Sequence, residues 1–168
     1  MADEIVNRVA NSKLITINLE DFYPDGARIL FDVKDWLYEG FVLREKHFRE
    51  QVKNHDWAQY QNKYVALTCT TDAIIPAWAY MLIATHLEPY ATKTVIGNLD
   101  TLETLVYQEI IDNLDVSDYK GRLLIIKGCS KKPVPDNAYI MLINKLKPVA
   151  KSIMYGEACS SVPLYKKR

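Results

Sequence analysis

The sequence predicts an α/β protein: a single domain whose mostly parallel sheet is built from two βαβ-like repeats, with a less regular N-terminal β/α segment. Two observations predict it. Short apolar runs alternate with stretches of helical periodicity over the last two thirds of the chain, the pattern of βαβ units. In addition, Pro76-Ala-Trp-Ala79-Tyr80 with Leu87, Pro89, Ala91 and Gly97 recurs as Pro135-Asp-Asn-Ala138-Tyr139 with Leu146, Pro148, Ala150 and Gly156. Every pair is 59 residues apart, and the repeat-like units span about 63–97 and 122–156. Any two βαβ units share proline near a helix start and glycine after a strand. The βαβ reading therefore stands whether or not the match records a duplication.

Taken in order, Leu14-Ile-Thr-Ile-Asn-Leu alternates as a strand does, and Asp21 to Gly26, with Pro24, is a turn cluster. Arg28-Ile-Leu-Phe-Asp-Val reads as a second strand. From about Asp35 to Val52, Trp36, Phe41, Phe48 and Val52 are set among charges, which favours helix with a break at Gly40. Asn54-His55-Asp56-Trp57 is a turn before a short helical piece. Lys63 to Thr68 is an apolar strand, followed by the polar loop Cys69-Thr-Thr-Asp72.

A helix is expected from about Ala73 to Leu87, with Ile75, Ala79, Leu82, Ile83 and His86 on one side and Pro76 tolerated in its first turn. Lys93 to Ile96 is a strand. The helix Leu99 to Leu114 follows, burying Leu102, Leu105, Val106, Ile110 and Leu114. Arg122 to Lys127 is a strand, Pro135 to Leu146 a helix and Ala150 to Tyr155 a strand. Tyr80 and Tyr139, at equivalent helix positions, are expected to pack in the core.

Composition narrows the function classes. The 168 residues are 49% apolar and 25% charged, ordinary values for a globular domain large enough to bury a core. Lysine plus arginine and aspartate plus glutamate both number 21. That balance argues against nucleic-acid binding, which needs a positive footprint. Acids near the N-terminus and the lack of an apolar stretch there argue against a signal peptide, and no run is long enough to span a bilayer. Three cysteines, far apart, then read as reduced thiols in the cytoplasm. The Lys166-Lys167-Arg168 tail reads as a solvated end.

The thiols carry the functional expectation. In a parallel sheet the loops leaving the carboxyl ends of the strands share one edge, where sites form. Cys69, Cys129 and Cys159 each follow a predicted strand, so all three are expected on that edge, with Cys129 and Cys159 close together. Lys131, Lys132 and a following helix N-terminus favour the thiolate of Cys129. Cys159 has Glu157 beside it, and Cys69 has Asp72, which also suits a helix N-cap. Thiolate and carboxylate donors together suit zinc or iron better than magnesium, so Cys129, Cys159, Asp72, Glu157 and Cys69 are the candidate metal ligands. A lone cysteine is more often a small buried hydrophobe, which is the competing reading of Cys69. His55 is a further candidate, expected at the opposite edge; His47 and His86 fall on helices and read as packing or surface residues. The glycine-rich dinucleotide fingerprint, the phosphate loop, the nucleophile elbow, His-Glu-x-x-His and Cys-x-x-Cys are missing from the sequence, so it names no reaction.

Asp72-Ala-Ile-Ile-Pro76-Ala-Trp78-Ala-Tyr80, Lys127-Gly-Cys129-Ser and Lys151-Ser-Ile-Met-Tyr-Gly156-Glu157-Ala-Cys159-Ser-Ser-Val-Pro163-Leu-Tyr-Lys166 resemble the motifs of a bacterial family, domain of unknown function 2480. Leu43-Arg-Glu-Lys46 and His55-Asp-Trp57 resemble it too, so the likeness covers most of the chain. The family brings no established activity and assigns no catalytic residue. The resemblance implies a protein encoded beside iron–sulfur assembly genes, and with it a protein partner in that process.

Two function classes are expected on these grounds. One is a cytoplasmic thiol or metal protein accessory to sulfur or iron–sulfur metabolism. The other is a non-enzymatic homodimeric interaction protein with structural cysteines, for which Trp36, Trp57 and Trp78 offer interface material. A small-anion binder using the helix N-termini is a third.

Overall fold

A computed structural model describes residues 14–128 and 131–168. The expected α/β class holds, with four α-helices and mostly parallel strands among the described residues. The expected single sheet does not: the strands form two sheets. One has the order β1 (Leu14–Ile17), β5 (Leu123–Ile126), β6 (Ser152–Glu157), β7 (Ser160–Lys166). The other has the order β2 (Arg28–Asp32), β3 (Tyr64–Thr68), β4 (Lys93–Ile96). All pairings are parallel except β6 with β7. Strand periodicity says which face a residue takes, but not which distant strand it pairs with. Leu14-Ile-Thr-Ile and Arg28-Ile-Leu-Phe each start a sheet of their own.

The chain divides accordingly into two compact units: Pro24–Val106, and the chain up to Tyr23 together with Tyr107–Arg168. The first strand of the outer unit is laid down, a complete second unit follows, and the outer unit then resumes. Within Pro24–Val106, β2 leads through α1 (Glu45–Asn54) to β3, and α2 (Ala77–Leu87) leads to β4. Right-handed crossovers along a linear strand order put both helices on one face. Phe48 and Val52 of α1 and Ala79, Ile83 and Leu87 of α2 accordingly share a core with Phe31, Val65 and Leu67. In the outer unit, the end of α3 (Leu99–Asp112) and α4 (Asp136–Leu146) do the same. There Tyr107, Ile111, Ala138, Leu142 and Leu146 pack with Ile17, Leu124 and Ile126.

The two cores use corresponding positions. Phe48, Val52, Val65, Leu67, Ala79, Ile83, Leu87 and Ala91 stand 59 residues before Tyr107, Ile111, Leu124, Ile126, Ala138, Leu142, Leu146 and Ala150. Backbone bonds repeat at the same offset. Thr92 N–H donates to the Lys63 carbonyl at 2.8 Å and Lys151 N–H to the Arg122 carbonyl at 2.9 Å. Likewise Asn62 donates to Tyr90 at 3.0 Å and Gly121 to Val149 at 2.8 Å. Both Asn62 (φ 59°) and Gly121 (φ 69°) are left-handed, the kind of position that favours Gly and Asn. The repeat read from the second half thus extends upstream through α1 and α3, and its two copies lie in different sheets.

Several boundaries differ from those expected. Residues 35–52 are not one helix: a 3₁₀ turn, Val33–Trp36, precedes a bridge between Tyr38 and Val42, and α1 begins only at Glu45, after the break at Gly40 (φ 83°). α2 starts at Ala77 with Pro76 as its N-cap, so Asp72 does not cap it. α2 buries Ala79, Ile83 and Leu87, whereas His86 stacks on Trp57 at 5.3 Å. α3 buries Leu102, Glu103, Val106, Tyr107 and Ile111, while Leu105, Ile110 and Leu114 are half-buried. Glu103 faces Arg28 across the inner unit, with Nε to Oε1 at 2.6 Å and both side chains nearly buried. Tyr80 and Tyr139 are half-buried at the margins of the two cores. Lys166, Lys167 and Arg168 are exposed, as expected of a solvated end, but the segment before them, Ser160–Lys166, is a strand, β7, that was not expected.

Among the described residues, no helix is long and apolar enough to cross a membrane.

Candidate functional site

The carboxyl ends of the parallel strands form an edge in each unit. In the inner unit, β2 ends at Asp32, β3 at Thr68 just before Cys69, and β4 just before Gly97. Asp32 caps the following 3₁₀ turn by accepting the Lys34 N–H at 3.1 Å. The same carboxylate reaches across to the loop after β3, accepting the Thr70 N–H at 3.2 Å and the Thr70 hydroxyl at 2.5 Å. Lys34 Nζ lies 3.6 Å from it. Burial at the strand end works to raise the Asp32 pKa. The Thr70 hydroxyl, the Lys34 and Thr70 N–H groups and the Lys34 ammonium outweigh it and hold the carboxyl below its ordinary value.

Cys69 is half-buried against the core and donates its Sγ–H to the Thr71 carbonyl at 3.7 Å. Tyr80, one turn into α2, completes the group. Burial, and then the neighbouring Cys69 and Asp32, push its phenol above the ordinary tyrosine value, so it stays protonated near neutral pH. A thiol, a phenol and a carboxylate thus share the inner edge. Asp72 is exposed and lies beyond this group.

The outer unit ties its corresponding loop in the same manner. Asn18 caps the 3₁₀ turn Leu19–Phe22 by accepting the Glu20 N–H at 3.1 Å. The Glu20 carboxylate accepts the N–H groups of Lys131 and of Lys132, the latter at 2.7 Å. These residues close the loop that follows β5. At the start of that loop, the Gly128 carbonyl accepts the Tyr155 hydroxyl at 3.2 Å. A Cβ on Gly128 would sit 2.7 Å from the Tyr155 ring, so only glycine admits this approach. Cys129 lies between these two anchors in sequence but outside the described residues, and so does its expected proximity to Cys159.

The expected convergence of all three thiols on one sheet edge is overturned by the pairing of the strands. Cys69 follows β3 of the three-stranded sheet, whereas Cys159 occupies the β6–β7 turn of the other and is exposed. Glu157, at the end of β6 opposite Ser160, is exposed too. The strand signal ended at Tyr155, which hid the hairpin and made Cys159 look like part of an edge loop. Among the described residues, no group of three or more His, Cys, Asp and Glu side chains is gathered closely enough to hold a metal ion.

His55 belongs to an aromatic cluster on the core face. Its ring lies 4.7 Å from Trp57 and 5.1 Å from Trp36, and its Nε2 is 2.9 Å from the Tyr60 hydroxyl. Burial lowers its pKa, with a smaller opposing pull from Asp56. These contacts pack its ring within the cluster. Sequence reasoning missed Asp32 and Glu20. The signal available for them was the shared apolar–Asx–apolar turn, Ile17-Asn18-Leu19 and Phe31-Asp32-Val33, after each first strand.

No curated protein and no solved structure matches the chain. A family model does, described as protein of unknown function (DUF2480), over residues 3–167. With nearly every residue inside that match, the chain belongs to the DUF2480 family.

Proposed function

We propose that this is a cytoplasmic thiol protein whose Cys69 and Cys129 loops handle sulfur or bind a soft metal such as zinc or iron, in the service of sulfur or iron–sulfur metabolism. One observation carries the reading: each unit uses a carboxylate at the end of its first strand (Asp32) or in the turn just after it (Glu20) to fasten the thiol-bearing loop after its second strand. Loops at a sheet edge are ordinarily free to vary, and fastening the same loop twice favours a demand on what it presents. Tyr80 beside Cys69 supplies a protonated phenol that can donate to a sulfur or oxygen atom held there. Asp72, on the Cys69 loop, is a further donor available to the inner site, and Glu157 and Cys159, on the β6–β7 hairpin, belong to the unit that carries the Cys129 loop.

The test is anaerobic purification followed by metal analysis and thiol-reactivity measurement, repeated on Cys69→Ser and Cys129→Ser. The reading expects a bound metal, or a thiol reacting at least tenfold faster than glutathione, that one of the two substitutions removes. Metal-free protein whose thiols all react no faster than glutathione would overturn it.

A further inference from the structure

The turn that carries α1 into β3, residues 55–60, is closed on the core by an imidazole. In it Trp57 and Tyr60 are buried, and the Trp57 indole N–H donates to the Val52 carbonyl at 2.9 Å. Its backbone bonds are local: Tyr60 N–H donates to the Trp57 carbonyl and Gln61 N–H to the Ala58 carbonyl, both at 3.1 Å. Side chains therefore supply much of its hold on the core.

The contacts of His55 fix its protonation state. Gln59 Nε2 lies 2.7 Å from the Asp56 carbonyl, which only accepts, so this atom is the amide nitrogen. The same nitrogen is 3.3 Å from His55 Nε2, and the Tyr60 hydroxyl is 2.9 Å from that ring atom. An amide nitrogen only donates, so Nε2 presents its lone pair and the ring is neutral, with its proton on Nδ1. A proton added at Nε2 faces the Gln59 N–H group and places a charge among Phe31, Trp36 and Trp57. The Tyr60 hydroxyl can turn to accept it; the amide nitrogen cannot.

We propose that His55 is a pH-operated latch: uptake of a proton at Nε2 frees residues 55–60 from the aromatic cluster while β2, β3 and β4 stay paired. The groups around the ring offer little to hold the charge in place. β2 presents Phe31 and the 3₁₀ turn before α1 presents Trp36, neither of which titrates. α1 carries Lys53, exposed, in its last turn, and α2 brings His86 onto the indole of Trp57. Burial holds the Tyr60 phenol above its ordinary value, so it stays protonated. Asp56, exposed on the turn, favours the proton on His55, and burial outweighs it. The freed ring has the ordinary histidine pKa of about 6.5 and the held ring a lower one, so acid favours the freed turn. Asn62, whose N–H donates to the Tyr90 carbonyl at 3.0 Å, ties the chain again just beyond the turn. No cysteine takes part, so the latch is independent of the thiol reading.

Peptide-resolved hydrogen exchange, with circular dichroism alongside, tests it between pH about 7.5 and about 5. Protection over residues 55–60, corrected for the intrinsic pH dependence of exchange, should fall severalfold more than protection in β3, with the dichroism unchanged. His55→Gln should abolish that difference, and His86→Gln should leave it. A fall shared equally by β3, one that survives in His55→Gln, or one lost in His86→Gln would overturn the proposal. In the unsubstituted protein, nitrogen NMR should find His55 Nε2 bare and Nδ1 protonated at pH about 7.5. A proton on Nε2 there would overturn it as well.

Discussion

In the outer unit, β6 is followed in the sheet by β7, and the thiol loop is fastened to Glu20 and carries Lys131 and Lys132; in the inner unit, β4 is the last strand of its sheet, and the loop is fastened to Asp32 through Thr70. Beneath these edges the units are alike, with cores at corresponding positions and backbone bonds 59 residues apart. The contrast separates what the fold requires from what has been varied upon it. Leucine, alanine and glycine recur where helices meet strands. The strand ends, where ligands and partners reach an α/β sheet, differ in charge and cover.

The largest effect expected is specific to the inner unit. Arg28 and Glu103 form a nearly buried ion pair, and the corresponding first-strand residue of the outer unit is Leu14. Glu103→Ala leaves the guanidinium buried without that carboxylate and should cost about 3 kcal/mol or more, measured by denaturant unfolding. Hydrogen exchange should show the loss in Pro24–Val106. A loss spread evenly over both units would break the distinction drawn between them.

A paired substitution sharpens the likeness. Leu87 and Leu146 are both fully buried at the ends of α2 and α4. Leu87→Ala and Leu146→Ala should each cost about 2–5 kcal/mol, and by similar amounts. Exchange should accelerate first in β3 and β4 for one, and in β5 and β6 for the other. A severe effect from one and a negligible effect from the other would show that the cores are not equivalent in energy.

A smaller effect belongs to the aromatic cluster, which has no counterpart among the described residues of the outer unit, where Val116 stands at the position of Trp57. Burial holds the His55 pKa in the folded state below the ordinary value of about 6.5. The unfolded chain therefore takes up the proton first as pH falls. The stability tied to neutral His55 is whole above pH about 6.5 and is lost as pH drops through the folded value. His55→Gln should flatten that decline, read as the urea midpoint at pH about 7.5 and about 5. An identical slope in wild type and variant would remove His55 from the account of acid stability.

Much of the helical architecture was legible. Apolar spacing and the proline–glycine punctuation located α2, β4, α4 and the start of β6, because these signals are local. The pairing of β1 with β5 and of β2 with β3 was not, because it joins strands far apart in sequence whose local patterns are interchangeable. β7 escaped notice because its residues are mostly exposed and Pro163 reads as a breaker. At the site, the cysteine loops could be placed behind their strands. Their fastenings could not: Asp32 lies 38 residues from Thr70 and Glu20 lies 111 from Lys131.

The central claim is that each unit's own acid holds its own thiol loop, and peptide-resolved labelling of Cys69 and Cys129 with a thiol reagent tests it most directly. Asp32→Ala should free the Thr70 loop and speed labelling of Cys69 roughly tenfold while leaving Cys129 unchanged, and Glu20→Ala should do the converse. Rates that do not move, or that move together at both thiols in either variant, would contradict it.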